Sequence, residues 1–133
     1  MEKKPLEILL VEDERAFADL IERLLQARGM NVTRVENGMD GAKVFAQSHW
    51  RFDLVISDVQ MPELNGVQFL KFVRTKSNIP FIVMTGSIET IESESAHALG
   101  ATEFLSKPIK SQVLLDAISH SLLSRVSKQA AGD

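Results

Sequence analysis

Short, nearly continuous apolar runs alternate along the chain with longer stretches in which apolar residues recur every three or four positions. Parallel strands covered on both faces leave the first kind of run, and amphipathic helices leave the second. The runs predict five strands: Glu7–Val11 (EILLV), Asn31–Val35 (NVTRV), Asp53–Ser57 (DLVIS), Pro80–Met84 (PFIVM) and Thr102–Leu105 (TEFL). Between the first two, Phe17, Leu20, Ile21, Leu24 and Leu25 form one helical stripe, and Gly29 supplies a left-handed stop. Asn37-Gly38 opens a second helix through Phe45, and Gly66 precedes a third reaching Arg74. Ser87 begins a fourth that ends at Gly100, and Ser111 caps a fifth carrying Val113, Leu114, Ile118 and Leu122.

Strand and helix thus alternate five times. Right-handed crossovers turn that alternation into a doubly wound parallel sheet, for which the common five-strand order is 2-1-3-4-5. Ligands in such sheets sit beyond the carboxyl ends of the strands where the order reverses, here between strands 1 and 3. The residues expected there are Glu12-Asp13-Glu14, Asp58, Thr85-Gly86 and Ser106-Lys107-Pro108, so acids, a hydroxyl and a lysine converge.

Crowded carboxylates repel one another and take up protons unless a cation intervenes. Magnesium suits them, because it wants a few hard oxygen ligands and shares its sphere with phosphate. A transition metal suits them less, since His49, His97 and His120 are scattered without paired-ligand spacing and read as surface or packing residues. Phosphoryl transfer needs positioning and charge neutralisation, and a cation, a lysine and a hydroxyl supply both around a carboxylate nucleophile. Asp58, closing the third apolar run, can be that nucleophile and form an acyl phosphate.

Composition narrows the remaining choices. At 133 residues the chain is expected to be one domain over residues 1–127 with a frayed tail at 128–133. A net charge of −3 argues against direct nucleic-acid binding. Cysteine is absent, which excludes disulfides and thiol chemistry, and no apolar run approaches the ~20 residues of a membrane span. A soluble, cytoplasmic protein is expected. Neither a G-x-G-x-x-G turn nor a P-loop is present, which sets aside a dinucleotide-binding enzyme.

The ordered set Glu12-Asp13, Asp58 with Met61-Pro62 and Gly66, Thr85-Gly86, then Phe104 with Lys107-Pro108 resembles the receiver domain of two-component response regulators, of the chemotaxis-regulator-like, single-domain kind. The resemblance covers about residues 6 to 125 and implies a flavodoxin-like (βα)5 fold. It implies that Asp58 accepts a phosphoryl group from a histidine kinase or histidine phosphotransfer protein, acting on itself rather than as an enzyme on a separate substrate. It implies magnesium at Glu12, Asp13, Asp58 and the backbone carbonyl of Gln60. Lys107 becomes the phosphate-contacting lysine, Thr85 the switch hydroxyl and Phe104 the rotating aromatic, with a cis bond between Lys107 and Pro108. Gln60 and Ser87 border the path of an attacking water, and Phe104 lacks the hydroxyl a tyrosine would bring. The kinase is expected beside helix one, and a downstream protein partner on helix 4, strand 5 and helix 5, where the acidic stretch ETIESESAH lies.

Two other readings compete. An aspartate-nucleophile phosphatase of the dehalogenase type would place a second aspartate two residues after the first, where this chain has Gln60. A scaffold that is never phosphorylated would use the same fold for binding alone.

Overall fold

The computed structural model describes the backbone of residues 4–59, 64–86 and 91–132, and the side chains of all these except 91–93 and 125–132. Five strands, β1 (Glu7–Val11), β2 (Asn31–Val35), β3 (Leu54–Asp58), β4 (Phe81–Thr85) and β5 (Glu103–Ser106), form one parallel sheet of order β2-β1-β3-β4-β5. The helices are α1 (Arg15–Ala27), α2 (Gly38–Ser48), α3 (Gly66–Arg74), α4 (Ile91–Ala98) and α5 (Ser111–Gly132). This is the doubly wound order that the alternation predicts.

Successive strand residues point to opposite faces, and that alternation divides the core in two. Leu9, Val11, Val55, Phe81 and Val83 pack with Phe45, Phe69, Val73 and Ala96 on the α2–α3–α4 side. Ile8, Leu10, Leu54, Ile56, Ile82 and Met84 pack with Ala18, Ile21, Leu25, Leu114 and Ile118 on the α1–α5 side. Each fully buried Leu, Ile or Phe stabilises by about 1.5–3 kcal/mol relative to exposure, so the central strands anchor everything built on their ends.

Local signals start and stop the helices. Asn37 caps α2 by accepting a hydrogen bond from the Asp40 amide. Asn65 and Gln68 form a reciprocal capping box at α3. Gly29 and Gly100 sit at φ +81 and +89, the left-handed conformation that ends α1 and α4.

Several expectations shift. β3, β4 and β5 each begin and end one residue later than the apolar runs suggest, so Asp58, Thr85 and Ser106 are the last residues of their strands. Interstrand hydrogen bonding sets where a strand ends, and hydropathy does not register it. Leu20 is 64% exposed and leaves the core, while Ala18 enters it. At about 100° per residue Leu20 lies roughly 130° from the centre of the Ala18–Ile21–Leu25 arc, outside what the sheet covers. Ser111 is the first residue of α5 rather than a cap outside it, and that helix runs on through residues 128–132, where a tail was expected. Lys128, Gln129, Ala130 and Ala131 are all good helix formers, and nothing in the run breaks the helix before Gly132. Gln60, Met61, Pro62 and Ser87 lie outside the described residues.

Candidate functional site

Register places the site. Val11 pairs with Ser57, Asp58 with Met84 and Thr85 with Ser106, so the carboxyl ends of β1, β3, β4 and β5 come level. Glu12, Asp58, Thr85 and Lys107 are thereby delivered to one edge, at the reversal of strand order between β1 and β3. Main-chain hydrogen bonds carry the ladder onward: Glu12 N–H donates to Val35 O at 3.1 Å, Val59 N–H to Met84 O at 3.1 Å and Lys107 N–H to Thr85 O at 2.8 Å. The Lys107–Pro108 peptide bond is cis, as the resemblance implies.

At the centre the Lys107 ammonium donates to Asp58 Oδ2 at 2.6 Å and to Glu12 Oε1 at 2.8 Å. Glu12 is 1% exposed and Asp58 7%. The other Glu12 oxygen accepts the amide of Glu14, the residue that precedes α1, at 3.1 Å. Burial pushes the Glu12 carboxyl up from 4.5 to about 7, and the Asp58 charge adds to the rise, against the pull of Lys107 and the Glu14 amide. For Lys107 burial acts downward, but its hydrogen bonds to Asp58 and Glu12 and their charges outweigh it and hold the ammonium above its ordinary value. Thr85 is buried beside this cluster, and Ser57, also buried, donates its hydroxyl to the Asp58 carbonyl at 2.9 Å.

Carboxylate oxygens of Glu12, Asp13 and Asp58 all lie within 4.8 Å of one another, with Asp13 exposed. Two buried acids and one open one, all hard oxygen donors, fit a magnesium ion that keeps part of its water. A family model described as "Response regulator receiver domain" matches residues 8–119. The chain belongs to that family. Receiver domains generally bind magnesium at an acidic pocket and interact with histidine kinases, which agrees with the acids gathered here.

The receiver is 34% identical over 111 residues to the transcriptional regulatory protein CpxR homolog of Haemophilus influenzae, which covers 84% of this chain and 48% of that protein. It superposes on a response regulator receiver domain of Clostridium thermocellum with a TM-score of 0.83 and 28% identity, covering 90% of this chain and 96% of that one. With the Vibrio cholerae chemotaxis protein CheY4 the TM-score is 0.81 at 29% identity, covering 89% and 99%. The chain spans about half the length of the first curated relatives it matches.

Glu12, Asp13, Asp58, Thr85 and Lys107, all expected at the carboxyl ends of the strands, come together at this edge. Phe104 is half-buried against the α2–α3–α4 core, and the ring of His97 lies 5.3 Å from its own. That contact is the packing role expected of His97. The other two histidines are engaged elsewhere: His49 lies tilted against the Phe45 ring and edge-on to Trp50, and His120 pairs with Glu103. Phe17, read as part of the helix stripe, turns its face to the site: the Lys107 ammonium lies over its ring, 4.6 Å from the centroid. Its position four residues after Asp13, in the first turn of the helix that starts at the site, was the signal available for that.

Proposed function

We propose that this receiver is a phosphorylation switch in a two-component or phosphorelay pathway, with Asp58 as the phosphoacceptor. The observation that carries the reading is Lys107 held between Asp58 and Glu12, a buried carboxylate aimed from a central strand at a fixed cation. A phosphohistidine of the kinase or phosphotransfer partner is attacked by an Asp58 carboxylate oxygen. A P–O bond forms as the P–N bond breaks, and the electron pair stays on the imidazole nitrogen, which then takes up a proton. Glu12, Asp13 and Asp58 would hold magnesium, which when bound supplies charge neutralisation to the phosphoryl oxygens; the resemblance adds the Gln60 carbonyl as a further ligand. Lys107 exchanges its carboxylate partners for a phosphoryl oxygen.

Thr85 and Phe104 are assigned the switch, and a downstream protein partner the α4–β5–α5 surface, where Phe104 meets His97 and Val113 is exposed. The receiver acts only on its own aspartate. A cytoplasmic setting is part of the same reading. Among the described residues no helix is long and apolar enough to cross a membrane.

The test is incubation with acetyl phosphate and magnesium, read by intact mass. One hydroxylamine-labile phosphoryl group is expected on the parent chain and none on Asp58→Asn. Undiminished phosphorylation of that variant would overturn the assignment.

A further inference from the structure

We propose that Phe17 is a positioning residue for Lys107, holding its ammonium at the mouth of the site by a cation–π contact. The inference rests on the reading of Lys107 as the phosphate-contacting lysine. The lysine stem is four flexible carbons, so something must keep its end in place. Two of its described partners are the carboxylates of Glu12 and Asp58, and both change during the reaction: a bound cation draws on their oxygens, and Asp58 gives one of its own to phosphorus. The Phe17 ring, 4.6 Å from the ammonium, is the described partner that can be neither metallated, protonated nor phosphorylated. Its contact therefore persists from the empty site to the phosphorylated one.

Placement supports this role. Ala18, Ile21 and Leu25, on the same helix, are the buried core positions, whereas Phe17 is only half-buried at the edge of the α1–α5 core, so a ring face remains for the lysine. The helix is tied to the same cluster through Glu14, whose amide binds Glu12. Movement of α1 against the sheet would therefore carry Phe17 and the Glu12 contact together.

Two measurements on the full chain test it, using Phe17→Leu and Phe17→Met, which keep apolar bulk without a ring, and Phe17→Tyr, which keeps the ring. In the absence of magnesium and phosphodonor, the ε-methylene protons of Lys107 should be shielded by the ring in the parent and in Phe17→Tyr, and move downfield in Phe17→Leu and Phe17→Met. With acetyl phosphate at saturating magnesium, the phosphorylation rate should fall about two- to fivefold without the ring, with magnesium affinity unchanged, and recover in Phe17→Tyr. A parent chain that takes up no phosphoryl group overturns the Asp58 reading and the role of Phe17 with it. A parent that is phosphorylated, with Phe17→Leu and Phe17→Met equal to it in rate or unmoved in the Lys107 resonances, overturns the role of Phe17 alone.

Discussion

Gly66 lies directly against the backbone of Asp58: a Cβ built on it would stand 2.2 Å from the Asp58 carbonyl oxygen and 2.7 Å from Val59 Cα. The contact is closed by a hydrogen bond from the Gly66 amide to Val59 O at 2.8 Å, so the start of α3 is seated on the end of β3. Gly66→Ala must displace one or the other. Overpacking of this kind costs about 1–3 kcal/mol, and a phosphoacceptor moved by about 1 Å is expected to lose ten- to a hundredfold in phosphorylation rate. Gly29→Ala is the control. It meets nothing within 4 Å but is strained at φ +81, so it should lower the melting temperature and leave phosphorylation intact.

Glu12 makes stability and metal binding depend on pH in opposite directions. Its carboxyl is raised from 4.5 to about 7 on folding, so between those values the native state binds a proton that the unfolded chain does not. Stability without metal therefore falls as pH rises through that window, by at most about 1.4 kcal/mol per pH unit, and Glu12→Gln should flatten the slope. Magnesium needs the ionised acid, so its affinity should rise with pH up to about 7. Denaturant melts and metal titrations at pH 5, 6, 7 and 8 check both signs.

Lys107→Met should remove the positive partner of two buried acids while keeping the length of the stem. A loss of about 1–3 kcal/mol at pH 8 is expected, less than for a fully buried pair because the Lys107 side chain is 19% exposed. Magnesium should restore part of that stability, since it replaces the missing charge, yet phosphorylation should stay slow. Thermal melts with and without magnesium separate the two effects.

Thr85 and Phe104 provide the prediction for signal output. Thr85 is buried at the end of β4, its carbonyl bound by the Lys107 amide, and Val83 pairs with Phe104 across the β4–β5 ladder. Thr85→Ala should still accept phosphate on Asp58, but phosphorylation-dependent amide shifts over residues 94–106 should fall to less than about half of the parent's. Full shifts in the variant would mean that the signal leaves by another route.

The sequence by itself determined the architecture. Short runs rich in β-branched residues, such as ILLV, LVIS and FIVM, alternating with stretches of helical period, read as parallel strands buried on both faces, and chirality then leaves one common order for five of them. Because side chains just beyond such strands are forced to the sheet edge, Glu12, Asp13, Asp58, Thr85 and Lys107 were legible as one site before any coordinates. What only the tertiary structure decided depends on surfaces that meet across long sequence distances. Hydropathy marked Leu20 as core, but the width of the sheet under α1 leaves it in solvent and buries Ala18 instead. Interstrand hydrogen bonds, not hydropathy, carry β3 one residue further and make Asp58 part of the strand. The rise of Glu12 to about 7 and the pairing of Lys107 with it and with Phe17 join residues about 90 apart in the chain. No local pattern encodes those contacts, because burial and charge pairing act through space while hydropathy and helical period act along the chain.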